Sequence, residues 1–194
     1  MAFQIIAITI LLVFYGCYFS KMIIQHNKGI QTNQIGKGKT GLVRVIELTM
    51  KVITIVVPLV EVASICLNTT PLALEIRIIG IALAIAGDIA FVISVITMKD
   101  SWRAGVSKTD KTQLVTNGIY QISRNPAFLG FDLVYIGILL MFFNWILFAV
   151  SVLAIIMLHL QIVNVEEDFL VSAFGDEYLE YRKKVRRYLG RKLR

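Results

Sequence analysis

Two short segments concentrate residues of types suited to chemistry. The first runs Leu114-Val115-Thr116-Asn117-Gly118-Ile119-Tyr120 and continues through Arg124-Asn125-Pro126-Ala127-Phe128-Leu129-Gly130. The second is Glu166-Glu167-Asp168-Phe169-Leu170, followed by Phe174-Gly175-Asp176-Glu177-Tyr178-Leu179-Glu180-Tyr181. Pro126 suits the first turn of a helix, where its missing N–H costs least and the neighbouring free N–H groups can receive an anion. Arginine, aromatic rings, helix-start amides and carboxylates converge if the two segments meet. Three further acids, Glu61, Asp88 and Asp132, stand singly inside long apolar runs. A carboxylate is costly in hydrocarbon, so these side chains are expected to point inward, with a functional role as the default and interhelical hydrogen bonding or a protonated acid as the alternative.

Several other patterns fall short of a site. Gly38-Lys39-Thr40 resembles the end of a phosphate-binding loop, but that pattern needs glycine where Asn33 stands, and a buried strand before it. No glycine-rich dinucleotide fingerprint follows a strand. Cys17 and Cys66 are isolated within apolar runs, and His26 and His159 are isolated too, so neither a metal site nor a Cys–His nucleophile is assembled. Asn68-Thr69-Thr70 matches a glycosylation sequon in a turn too close to the membrane to be a good acceptor.

The elements that must position these residues follow from hydropathy. Of the 194 residues 57% are hydrophobic and 17% charged, and the mean hydropathy is +0.73; apolar side chains outnumber what one small soluble core can bury. With 3 Pro and 13 Gly the chain is neither fibrous nor disordered. Met1 to Ser20 carries no charged side chain and at helical rise spans about 30 Å, the thickness of the hydrocarbon core. A cleavable leader would begin with basic residues, and none precedes Lys21, so the segment is expected to persist. His26 to Gly41, with Gly29, Gly36 and Gly38 and the cations Lys28, Lys37 and Lys39, reads as a loop. A second span covers Val52 to Leu74 with Pro58 as a kink, ending in the turn Asn68-Thr69-Thr70-Pro71. The third covers Ile78 to Met98. Lys99 to Arg124 is polar, and Asn125 to Val165 is too long for one crossing; Asn144 and Trp145 divide it into a helical hairpin.

Five spans with the N-terminus outside put His26–Gly41, Lys99–Arg124 and the C-terminal tail on the inner side. Every Lys and Arg except Arg77 then lies on or toward that side, as the positive-inside rule requires. The net charge of +7 is thereby explained by topology and anionic lipid, and nucleic-acid binding is unnecessary. After Val165 the residues Leu170, Phe174, Tyr178, Tyr181, Val185 and Tyr188 recur at helical spacing opposite Glu177, Glu180, Arg182, Lys183, Arg186 and Arg187, which predicts an amphipathic helix at the inner surface. The expected fold is all-α: a multi-pass bundle of about five transmembrane helices forming one domain over 1–194, divided into 1–111 (spans and loops) and 112–194 (motifs, hairpin and tail).

The two motif segments resemble the membrane-embedded methyltransferase family that includes isoprenylcysteine carboxyl methyltransferase and, more distantly, phosphatidylethanolamine N-methyltransferase. The family pattern, L-V-x-x-G-x-Y, R-H-P-x-Y, a hairpin, E-E and F-G-x-E-Y-x-x-Y, reads here as Leu114 to Tyr120, Arg124 to Phe128, Glu166-Glu167 and Phe174 to Tyr181. The resemblance covers the C-terminal half. It implies methyl transfer from S-adenosylmethionine, entering from the cytosolic side, to a lipophilic small molecule or prenyl or lipid substrate entering from the bilayer. Carried over by position, Gln113, Leu114, Val115, Tyr120, Asn125, Pro126, Phe128 and Glu166 line the cofactor pocket, no metal is implied, and Arg124 and Glu167 orient substrate or handle charge. Three departures bear on this. Asn125 replaces the family's His, Phe128 replaces its Tyr, and Ile162 stands where the prenylcysteine enzymes place an Arg on the substrate carboxylate. An amine, phenol, thiol or different lipid head group thereby becomes a more plausible acceptor, unless Arg124 compensates. Two rival functions are an NADPH-dependent membrane reductase of an enone lipid, which would need clustered cations for its phosphates, and a scaffold without turnover. The absence of a leader and the compact tail fit a bacterial or archaeal plasma membrane.

Overall fold

The computed structural model describes residues 1–30, 32, 34–35, 39–103, 105 and 113–192. Asn33, Gly36, Lys37 and Gly38 of the first polar loop, residues 106–112 of the central polar stretch and Arg194 lie outside the described residues. The described chain is an all-α bundle: α1 (Ala2–Asn27), α2 (Gly41–Leu67), α3 (Leu74–Met98), α4 (Pro126–Met141), α5 (Trp145–Gln161) and α6 (Glu167–Lys184). Four helical stretches are long and apolar enough to cross a bilayer, Ala2–Asn27, Gly41–Leu67, Leu74–Ser101 and Trp145–Lys184, the last being α5 running on into α6 through a π-helical turn at Ile162–Glu166. At 16 residues, or about 24 Å, α4 is shorter. It sits in the middle of the bundle with Val134, Tyr135, Ile138, Met141, Gly130 and Gly137 all buried, whereas α1 and α2 turn Ile5, Leu12, Phe19, Ile55 and Leu59 outward. Because protein rather than lipid surrounds α4, its length need not match the hydrocarbon.

The predicted turns fall where expected. Asn68 ends α2 in the left-handed region (φ 50°), which a short amide side chain tolerates. Asn144 caps α5, its side chain accepting a hydrogen bond from the Leu147 N–H at 2.9 Å. Two boundaries differ from expectation. The second helix begins at Gly41 rather than Val52, because hydropathy stops at Lys51, Glu47 and Arg44 while the backbone bonds of the helix do not. The amphipathic tail helix ends at Lys184 and breaks at Gly175 (φ 49°). Val185 and Tyr188 therefore lie beyond the helix; Val185 is extended and bridges Arg191.

The two ends of the bundle differ in chemistry. At one end Gln25 Nε2 donates to the Trp102 carbonyl at 2.9 Å, and Lys28 pairs with Asp100 at 2.8 Å. At the other, Asn144 Nδ2 donates to Ser64 Oγ at 2.8 Å. Arg77, the cation set apart by topology, donates to the Met141 carbonyl at 2.9 Å and to Asn68 Oδ1 at 3.1 Å, with its guanidinium 4.1 Å above the Phe3 ring. The three isolated acids, Glu61, Asp88 and Asp132, are all buried, inside the bundle as their cost in hydrocarbon demands.

The pair α3–α4 packs backbone to backbone along small residues. A Cβ built on Gly137 would stand 2.6 Å from both the Gly80 carbonyl oxygen and the Ala84 Cβ, and one on Gly87 would stand 2.8 Å from the Gly130 carbonyl oxygen. Helix association in lipid relies on such close approach because no hydrophobic drive separates helix from tail. Gly137→Ala is therefore expected to destabilise the detergent-solubilised protein by about 1–3 kcal/mol. Gly16→Ala, where a Cβ meets nothing within 4 Å, should be neutral or stabilising; thermal unfolding of both variants checks the contrast.

Candidate active site

The start of α4 and the end of α5 meet at the polar end of the bundle. Arg124 Nη2 lies 3.0 Å from Glu167 Oε1, with the two side chains only 6% and 7% exposed. Arg124 Nη1 donates to Tyr178 Oη at 2.8 Å. Glu167 is shared: Arg187 donates to its two oxygens from Nε at 2.8 Å and from Nη2 at 3.0 Å, and this carboxylate holds the Arg187 guanidinium above its ordinary value. A buried carboxylate held by two guanidiniums has its charge answered and its lone pairs occupied, the condition under which an interior ion pair is tolerated.

The chain beyond α6 secures the same junction through its backbone. The N–H groups of Arg124 and Asn125 donate to the carbonyls of Arg186 (3.1 Å) and Arg187 (3.2 Å), and Gly190 N–H donates to the Ile122 carbonyl at 2.7 Å. Asn125, which stands where the family has His, sends its side-chain amide to the Arg187 carbonyl at 3.1 Å. Tyr188 Oη lies 2.6 Å from His159 Nδ1. Gly118 (φ +57°) opens the short 3-10 turn that carries Tyr120, with the Thr97 side chain close by. The Tyr181 hydroxyl donates to the Tyr120 carbonyl at 2.5 Å. The apolar face of α6 is thus spent on protein: Tyr178 and Tyr181, with Val185 just beyond the helix, bury against Tyr120, Leu114, Val115 and Ile119.

This junction encloses a cavity of about 140 Å³. Of the eight residues that the family resemblance assigns to a cofactor pocket, seven line this cavity, Gln113, Leu114, Val115, Tyr120, Asn125, Phe128 and Glu166, joined by Arg124. Pro126, the eighth, is buried in the first turn of α4 and is not on the cavity wall. Neither is Glu167, which faces its arginines. Burial pushes the Tyr120 phenol up, so it stays protonated and able to donate. Glu166 accepts from Gln161 Nε2 at 3.2 Å.

A second cavity, about 460 Å³ and mostly apolar, lies between α1, α2 and α4, walled by Tyr15, Tyr18, Met50, Pro58, Phe91 and Phe131 among others. The two cavities share Trp102, Arg103, Gly105, Ala127, Phe128 and Glu166. Neither the second cavity nor Trp102 and Arg103 is visible in sequence motifs, because its walls come from helices far apart in the chain. The one sequence signal was the interfacial type of Trp102.

An all-helical bundle with four stretches long and apolar enough to cross a bilayer, and two adjacent cavities that share a wall, defines an integral membrane protein. The model of the phospholipid methyltransferase family matches residues 76–177, and the chain belongs to that family. It is 39% identical over 80 residues to the protein-S-isoprenylcysteine O-methyltransferase of Schizosaccharomyces pombe, covering 41% of this chain and 34% of that protein. With the Saccharomyces cerevisiae protein of the same name it shares 32% identity over 111 residues, covering 56% and 46%. A mouse protein of that name is 36% identical over 78 residues, covering 40% and 28%. The chain spans less than half the length of these relatives.

Glu167→Gln leaves Arg124 buried against an uncharged partner. It is expected to cost about 3 kcal/mol and to lower the thermal midpoint in detergent. Glu180→Gln, which breaks only the exposed pair with Lys183, should leave the midpoint in place.

Proposed function

We propose that the protein transfers a methyl group from S-adenosylmethionine to a lipophilic acceptor at the cytoplasmic face of a membrane. The observation that carries this reading is the wall that the two cavities share at Phe128 and Glu166: the smaller, with Arg124, Asn125 and Gln113 on its wall, suits a charged, water-soluble donor, and the larger, more apolar one suits a lipid chain. The names of the relatives, O-methyltransferases of isoprenylcysteine, support the reaction class.

The residues of the smaller cavity fit the donor. Arg124 Nε is buried and has no hydrogen-bond partner among the described residues, so a carboxylate would complete it. Glu166 offers a counter-charge for an ammonium or sulfonium. Leu114, Val115, Leu170 and Phe174 form an apolar slot of the kind adenine fills. When bound, the donor supplies an electrophilic methyl carbon. The chain's part is alignment and exclusion of water, and no protein nucleophile is required. In this reading Arg124 orients a ligand directly, whereas Glu167 acts by positioning Arg124. The concentration of cations at this end of the bundle supports placing it on the cytoplasmic side, with the N-terminus opposite.

Isothermal titration of the detergent-purified protein with S-adenosylhomocysteine is expected to show saturable binding that Glu166→Ala and Tyr120→Phe both weaken, by about tenfold for the charged contact. NADPH in the same assay should not bind. Unchanged affinity in both variants would overturn the site assignment, and NADPH binding with no response to S-adenosylhomocysteine would favour a reductase.

A further inference from the structure

The ion pairs at the head of α4 do not balance. Two guanidiniums share the Glu167 carboxylate, and they share it unequally: Arg124 reaches Oε1 with Nη2 alone, at 3.0 Å, whereas Arg187 grips both oxygens, Nε on Oε1 at 2.8 Å and Nη2 on Oε2 at 3.0 Å. Two parallel N–H···O contacts from one guanidinium are the stronger arrangement and fix geometry as well as charge. Glu167 is therefore held chiefly by the tail. Arg124 keeps one contact to it, donates from Nη1 to Tyr178 Oη at 2.8 Å, and leaves Nε buried with no hydrogen-bond partner among the described residues. The trio carries one positive charge in excess, and its open donor belongs to a residue that lines the smaller cavity.

Arg187 is placed by the residue that caps the start of α4. Its carbonyl accepts from the Asn125 N–H at 3.2 Å and from Asn125 Nδ2 at 3.1 Å, while the next residue, Tyr188, meets His159 of α5 at 2.6 Å. Backbone on one side and carboxylate on the other leave the guanidinium little freedom. The Arg187 side chain is 33% exposed, so it stays in contact with water at the rim, whereas Arg124 and Glu167 do not. The consequence is electrostatic. With Glu167 answered from the tail, Arg124 remains a buried cation that is only partly neutralised; without Arg187 the two would form a neutral pair whose pull on an incoming anion largely cancels.

We infer that Arg187 is a positioning residue of the donor site: it occupies Glu167 so that Arg124 keeps both the orientation and the net charge to receive a carboxylate through Nε. The inference rests on the methyl-transfer reading and deepens it, because it makes affinity for the amino-acid end of the donor depend on the segment beyond α6. Arg187 itself is not on the cavity wall. It acts through Glu167 and Arg124.

The test compares two ligands by isothermal titration of the detergent-purified protein: S-adenosylhomocysteine, and its decarboxylated analogue, which keeps adenosine, sulfur and ammonium and lacks only the carboxylate. Wild type is expected to bind S-adenosylhomocysteine about tenfold more tightly than the analogue. Arg187→Gln should erase most of that preference by weakening S-adenosylhomocysteine alone. Arg187→Lys, which restores the charge without the fork, should recover part of it, and Arg186→Gln, which removes the exposed neighbouring cation, should retain it in full. A merely structural role would weaken both ligands together, and that result overturns the proposal. So does a preference that survives Arg187→Gln, an equal loss in Arg186→Gln, or equal binding of the two ligands by wild type. Should Arg187→Gln fail to fold, Arg187→Lys decides, and an undiminished preference in that variant overturns the proposal. Failure of wild type to bind either ligand sinks the methyl-transfer reading itself, whereas S-adenosylhomocysteine binding that ignores Arg187 sinks only the role of that residue.

Discussion

The contact between Arg124 and Glu167 joins the turn just before α4 to the first residue of α6, where charge can be gathered beside the smaller cavity. Within hydrocarbon neither side chain could be held cheaply. At the polar end of the bundle each still leaves water almost completely, so each must answer the other. Arg187 completes the arrangement and draws the tail over it. The backbone of Arg124 and Asn125 then pairs with the tail, so the N–H groups at the entrance to α4 are partly consumed by protein rather than left for a ligand. Arg124 Nε is buried without a hydrogen-bond partner among the described residues, and the Glu166 carboxylate lines the cavities.

Packing inside the bundle determines where the second cavity can lie. The Gly80–Gly137 and Gly87–Gly130 contacts draw α3 against α4 until backbones touch, and no space is left on that side. On the opposite side α4 presents Phe128, Phe131 and Tyr135, while Pro58 interrupts the bonding of α2, and the cavity opens among these bulkier residues. Tight packing on one face of a central helix thus leaves room on the other. Because α4 is sheltered by its neighbours, it can be short, and its first turn reaches the polar end at the level where Arg124, Glu166 and Glu167 gather.

The order of helices, both turns and the meeting of the two motif segments were legible in the chain. Each rests on local physics: uninterrupted apolar stretches, an Asn that tolerates the left-handed region, an Asn that caps, and the geometric need of a hairpin to return its end to its beginning. The start of α2 was not, because helical bonding continues through Arg44, Glu47 and Lys51 where hydropathy no longer distinguishes membrane from water. The fate of the tail was also hidden. Tyr178 and Tyr181 have the spacing of a lipid-facing stripe, and amphipathicity alone does not say whether lipid or protein covers it. Here Leu114, Val115 and Tyr120 cover it. Glu167, adjacent to Glu166 in sequence, could not be told from it by residue type; rotation along the helix turns one carboxylate toward arginines and the other toward the cavities.

The departures from the family's motif acquire physical meaning in this frame. Asn125 keeps a side-chain donor at its position and uses it on the Arg187 carbonyl, so the change from His costs the tail no anchor. Phe128 keeps the ring and loses the hydroxyl at a place shared by both cavities, which makes that wall more apolar. Ile162 removes a cation from a turn that is now fully buried, where an unpaired guanidinium would be expensive.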